Sequence, residues 1–311
     1  MKYKLALAFF FILLLNNSIF SQNTYDFMRL DMSARAAALG GTFVSNTDDP
    51  NVIFYNPAGL KTLTGSPVSF SFFKYILDIN LASITYSTEI ENIGRFAAGI
   101  KYANYGKFTE ADEFGNVLGE YGAGDAAFIV GYSNSIETNF NYGINAKFIY
   151  SNIDKYSSTA MAVDLGLNYN IPEQAFSVGF AILNAGAQLS SYSTTKENLP
   201  LDFTVGASKK LAHLPLNLSL DFHRLNDTQS NLIGHLKAFS LGAEFTLSKV
   251  LRLRLGYDNL RRQELTIGNT AGLAGFNAGL GVVIKGYNFD YGFSSLGEIG
   301  AWHRISLATT F

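Results

Sequence analysis

The chain has 311 residues, of which 15% are charged, 48% hydrophobic and 14% aromatic, with 29 Gly, 6 Pro, no Cys and a formal charge of −2. The missing Cys excludes disulfides, thiol catalysis, thiolate metal sites and acylation of an N-terminal Cys, and the absence of a basic stripe argues against nucleic-acid binding. Charge well below the usual quarter or so, many aromatics and no long apolar run after the leader point to a β-barrel in lipid.

Lys2 and Lys4 precede an unbroken apolar run from Leu5 to Leu15, and Asn16 to Ser21 is polar and small. This layout predicts a secretory signal peptide over residues 1–21, cleaved after Ser21 to leave Gln22. The run is too short for a spanning helix, which needs roughly 20 apolar residues. Loss of the two lysines leaves 21 basic and 25 acidic residues, a net charge of −4. No later stretch is apolar over 18 residues, so an inner-membrane helical protein is excluded.

Residues 22–65 predict helix and turn, compact and apolar, folded into the lumen as a hatch. Ser33 to Leu39 is rich in helix formers around Arg35, and Gly40-Gly41 ends it. Asn46 to Pro50 is a turn. Asn56-Pro57-Ala58-Gly59 predicts a helical turn opened by Pro57 and closed by Gly59.

Residues 66–311 predict an antiparallel transmembrane barrel of about fourteen strands. Their period is two: Ser69, Ser71 and Phe73 alternate with Val68, Phe70 and Phe72. Val163 to Tyr169, Leu216 to His223 and Leu251 to Gly256 alternate likewise. Strands are expected to begin near Ser66, Leu81, Ile93, Gly124, Thr138, Ser158, Ala175, Leu201, Leu214, Leu236, Val250, Gly275, Gly286 and Gly300. The even count suits a single-chain bacterial barrel. Ile90-Glu91-Asn92 and Ile136-Glu137 are tight turns. Residues 105–123, 184–200, 226–235 and 259–274 are expected as long extracellular loops. The last strand ends in Phe311, the aromatic terminus that the outer-membrane insertion machinery recognises.

Catalytic constellations are absent, so no enzyme is expected and no metal or cofactor is assigned. His213, His223, His235 and His303 have no metal-ligand spacing and are expected in the lumen or at its rim. The Gly-rich stretch 268–281 lacks the Lys-Ser/Thr of a phosphate loop and is expected to make room for the hatch. Asp48-Asp49 and Asp112-Glu113 are carboxylate pairs expected to be solvated turn residues.

The segment Tyr25 to Leu30, followed by Ser33-Ala34-Arg35-Ala36-Ala37-Ala38-Leu39-Gly40-Gly41, resembles the opening of the PorV/PorQ family of type IX secretion barrels. Phe54 to Leu60 resembles the Asn-Pro-Ala segment of FadL-type transporters, and Asp112 to Asp125 also resembles the PorV/PorQ family. The chain length is nearer PorQ. The resemblance implies a FadL-like fourteen-stranded barrel with an N-terminal hatch and no catalysis. It further implies an outer-membrane scaffold for the surface attachment complex, touching PorZ, PorU and PorV through the extracellular loops. The alternative is a FadL-type channel for hydrophobic small molecules.

Overall fold

The computed structural model describes residues 25–75, 79–227, 234, 236–266 and 271–311. The expected leader and its cleavage point lie outside the described residues, as does His235. Fourteen antiparallel strands close into one barrel, each paired with its neighbours in chain order and the first with the last. They are β1 (Pro67–Lys74), β2 (Asn80–Ile90), β3 (Gly94–Ala111), β4 (Val117–Glu137), β5 (Phe140–Ile153), β6 (Tyr156–Ile171), β7 (Phe176–Ser190), β8 (Asp202–Lys210), β9 (Leu216–Phe222), β10 (Phe239–Thr246), β11 (Leu251–Asp258), β12 (Phe276–Ile284), β13 (Tyr287–Ser295) and β14 (Ala301–Thr310). Among the described residues, no helix is long and apolar enough to cross a membrane.

Side-chain alternation follows from the strand period. Ser69, Ser71, Asp164, Asn168, Asp221 and Arg254 face inward and are buried, whereas Phe70, Leu165, Leu167, Leu218 and Leu255 face outward and are exposed. The outer surface is therefore an apolar belt and the inner surface is polar, the pattern of a barrel in lipid.

All expected strand starts but one lie within three residues of the observed ones. The exception is β4, which begins at Val117 instead of Gly124. Residues 105–123 are thus no loop. They continue the β3–β4 ladder past a bulge between Asn104 and Lys107, where Gly106 takes a positive φ of 79°. The turn at the tip is closed by Asp112, whose Oδ1 accepts the N–H groups of Phe114 (2.9 Å) and Asn116 (2.8 Å). Similarly, β7 runs on to Ser190, past a bulge opposite Asp164, and the 259–274 loop contains the short helix α2 (Asn259–Glu264). The expected tight turns are present one to two residues later, at 91–93 and 138–139, with Ile136 and Glu137 still in β4.

The wall is uneven. Strands β3 to β7 have 14–21 residues and β8 to β13 have 7–9. A tilted crossing needs about 9–11 residues, so the short side barely spans and the tall side projects at the end that carries the long loops.

Leu165 sits on the outer face between Asp164 and Gly166. Leu165→Arg is expected to destabilise the barrel by about 2–4 kcal/mol in lipid, the range for a cation on the lipid face near the midplane. Urea unfolding in vesicles measures this, and an unchanged midpoint would remove the lipid assignment of that face.

Candidate functional site

The lumen is occupied by the chain's own N-terminal segment. Local chemistry shapes it before the wall does. Ser33 Oγ accepts the Ala36 N–H at 3.3 Å and caps the helix α1 (Ala34–Ala38). Gly40 and Gly41 end it with φ of 72° and 85°, and the Gly41 N–H returns to the Ala36 carbonyl at 2.9 Å. Asp49 Oδ1 caps the 3₁₀ turn Pro50–Phe54 through the Asn51 N–H at 2.9 Å. Asn56 Oδ1 caps Pro57–Thr62 through the Ala58 N–H at 3.1 Å. Pro stands at the first position of both turns, where no N–H is needed.

The wall receives this segment on glycines. Gly143 lies opposite Gly166, Gly179 opposite Gly206, Gly242 opposite Gly256 and Gly279 opposite Gly292. A Cβ at Gly143 or Gly166 would fall on the Asn56–Ala58 turn, and at Gly179 or Gly206 on Val44. At Gly242 or Gly256 it would meet residues 38–42, at Gly279 Ala38, and at Gly292 Ala34. Gly99 and Gly131 extend the girdle against Ile53, Phe54 and Leu60. Interior strand glycines cost stability, and here they let hatch and wall backbones approach closely.

Polar pins fix the register. Arg35 donates to both Glu244 oxygens at 2.9 Å and to Asp48 Oδ1 at 2.8 Å. Glu244 also accepts from Arg254 at 2.5 Å, and Arg254 reaches Asp290 at 2.6 Å. Burial opposes the Arg35 charge, but Asp48, Glu244 and Asp49 outweigh it and raise its pKa well above the ordinary arginine value. Asn56 Nδ2 donates to the carbonyls of Val44 (2.7 Å) and Leu167 (3.0 Å). Arg304 donates to the Asp31 carbonyl at 2.7 Å, and Ser306 Oγ accepts the Ala34 N–H at 2.9 Å. Asp221 Oδ2 accepts the N–H groups of Phe43 (2.8 Å) and Val44 (2.9 Å).

Two spaces lie at opposite ends of the lumen. At the long-loop end, a cavity of about 140 Å³ is lined by hatch residues Met28 to Asp31 with Lys101, Arg224 and Arg261. Beside it stands an apolar cluster of Tyr25, Phe27, Met28, Met32, Phe73 and Trp302. Tyr75 stacks on Trp302 at 4.6 Å, and the Arg304 guanidinium lies 3.8 Å from the Phe73 ring centroid. At the short-turn end, a cavity of about 520 Å³ is lined by hydroxyl and amide groups with Asp48, Glu244 and Arg252.

The structure brings Arg35, Gly40, Gly41, Asn56, Pro57, Ala58 and Gly59 together in the lumen. Gly59 packs on the Asn46 carbonyl, and Phe311 stands apart, exposed at the end of β14 and paired with Ser66 across the seam. Of the Asp48-Asp49 pair, Asp48 is exposed as expected while also binding Arg35, and Asp49 departs from the expectation because it is buried as a cap. Among the histidines, His223 lines the smaller cavity, His213 is exposed in the β8–β9 turn, and His303 faces outward, with Nδ1 2.7 Å from Tyr291 Oη. That outward position corrects the expectation of a lumen or rim residue, because β14 alternates Trp302 and Arg304 inward. Asp221, Glu244, Arg254 and Arg304 were not singled out as site residues. Their signal is a charge on the polar face of an alternating strand.

No protein-family pattern matches the chain, and no curated protein matches it by sequence. Solved structures match in fold. The Ralstonia pickettii toluene transporter TbuX is 12% identical with a TM-score of 0.59, covering 89% of this chain and 98% of that one. The Pseudomonas putida toluene transporter TodX is also 12% identical with a TM-score of 0.59, covering 92% and 98%. A Pseudomonas aeruginosa FadL homologue is 11% identical with a TM-score of 0.53, covering 89% and 97%. The chain has a FadL-like barrel fold.

Two outcomes are expected from the lumen geometry. Gly166→Val should expel the Asn56–Leu60 turn, so that the hatch becomes protease-sensitive while the barrel keeps its heat-dependent mobility shift; an unchanged digestion pattern would contradict the girdle. Arg35→Met leaves Glu244 with Arg254 as its one cation and takes the cation away from buried Asp49, and should cost about 3–5 kcal/mol, part of it recovered in Arg35→Met/Glu244→Gln. Denaturant titration of both variants measures this, and a loss within error of zero would dismiss the pin.

Proposed function

We propose that the protein is a non-enzymatic outer-membrane channel for small hydrophobic molecules, closed in this conformation by its hatch. The carrying observation is the apolar cluster of Phe27, Met28, Met32, Phe73 and Trp302 at the long-loop end, adjoining a cavity of about 140 Å³. The cavity has a mixed lining that includes Arg29, Asp31, Lys101 and Arg224, so on this reading it is the apolar cluster beside it that receives the hydrophobic solute. The fold likeness to solved toluene transporters supports the same reading. On this proposal residues 1–21 are removed on export, residues 22–65 act as the hatch, and the apolar belt lies in outer-membrane lipid. Short turns then face the periplasm and long loops the exterior, and Phe311 serves the insertion machinery.

A second reading is a scaffold of the type IX secretion system. It is supported by the N-terminal resemblance and by the projecting β3–β4 hairpin, whose tip exposes Phe114, Val117 and Leu118 to solvent. Its partners would be surface components such as PorZ, PorU and PorV.

Uptake separates the two. Cells producing the chain should take up labelled toluene severalfold faster than cells with an empty vector. Equal rates would end the channel reading, and co-purification of type IX components from mild detergent would favour the scaffold.

A further inference from the structure

The two cavities are separated by very little. The segment Leu39–Ser45 sends alternate residues to each side: Gly40, Gly41 and Val44 line the upper cavity, while Leu39, Thr42 and Ser45 line the lower one. Both cavities share the wall of β8 to β10, with Thr204 and Ser240 above and Ser208, Ser219 and Glu244 below. A further space of about 210 Å³ lies between hatch residues Thr47 to Thr64 and the ends of β1, β13 and β14, and none of the residues Gly40–Ser45 lines it.

We infer that residues Gly40–Ser45 are the gate of the lumen, that Asp221 is its latch, and that solute passes along the inner face of β8 to β10. This rests on the channel reading and names the moving part. Three observations support it. First, Asp221 is fully buried, and among the described residues its hydrogen bonds come from two gate N–H groups, both on Oδ2, while Oδ1 accepts none. A buried carboxylate is costly unless its oxygens are occupied. Here the bonds that compensate it are the ones that hold the segment, so releasing the segment also lets water reach the carboxylate. Second, the segment is bounded by a natural hinge. Gly40 and Gly41 adopt positive φ, while the far end is anchored by Asn56 on the Val44 carbonyl. Third, the other side-chain ties of the segment are all neutral, the weaker class of bond: Thr42 Oγ1 with Ser219 Oγ at 2.7 Å, Ser177 Oγ donating to the Ser45 carbonyl at 3.0 Å and Asn56 Nδ2 donating to the Val44 carbonyl at 2.7 Å. By contrast, the helix before the gate is held by the charged Arg35 network. The device is a short, hinged strap over a continuous polar wall.

Single-channel conductance in planar bilayers tests this without reference to the identity of the solute. The wild-type chain should conduct at the baseline level, and Asp221→Ala should raise conductance severalfold. Adding Thr42→Cys and Ser219→Cys to that variant, in a chain that has no Cys of its own, should close it on oxidation and reopen it on reduction. A control bridge on the other side of the hatch, Asn51→Cys with Ser69→Cys, should leave the Asp221→Ala channel open. If Asp221→Ala does not assemble, judged by its heat-dependent mobility, Thr42→Val/Ser219→Ala replaces it and should still raise conductance. A folded variant that stays at baseline, or closure by the control bridge alone, overturns the gate. Gated conductance without toluene uptake would keep the gate and remove the hydrophobic solute.

Discussion

The structure depends on backbone meeting backbone inside a closed sheet. Fourteen strands enclose a space that their own inward side chains do not fill. Residues 25–65 fill it only because wall positions at hatch height lack a Cβ. Pairing glycine with glycine across neighbouring strands, as at Gly143 and Gly166, doubles the width of each gap. The result is a seat shaped to a particular path of the hatch, so a shift of one residue in wall register would turn the glycines to lipid and bulky side chains to the lumen.

Close backbone approach then sets the electrostatics. Hatch carbonyls and N–H groups lie directly against the wall, and once buried they need partners. The wall supplies them from its polar face: Arg304 for the Asp31 carbonyl, Lys101 for the Met28 carbonyl at 2.9 Å, and Asn145 for the Ile53 carbonyl at 2.9 Å. The buried charges are therefore distributed as pins along the hatch. Around Arg35 they form a connected set with Glu244, Arg254 and Asp290. Around Asp221 the carboxylate's hydrogen bonds, among the described residues, are those from the strap, and this is the region proposed to release.

The barrel was largely legible in the sequence, because an apolar belt and polar lumen impose period two on nearly every strand, and turn residues mark the ends. The β3–β4 extension was not, because above the membrane the belt is no longer required. Polar and glycine residues there, such as Lys107, Gly119 and Gly122, look like a loop although they keep the ladder. The hatch was legible as helix and turn from Ser33, Gly40-Gly41 and Asn56-Pro57. Its seat was not. Glycines spaced along separate strands carry no local signal, and only closure of the barrel brings Gly143, Gly206 and Gly292 to one lumen. The same holds for Asp221, whose place in the alternation showed an inward charge but not the segment it would hold.

Hydrogen exchange in lipid nanodiscs tests the central claim, a hatch seated on the glycine girdle and looser at one strap. Amides of residues 46–63 should exchange as slowly as those of the strands, and the Gly40–Ser45 amides should be the fastest between Ser33 and Leu63. Uniformly fast exchange across residues 25–63 would show a hatch that does not use its seat, and would contradict the account.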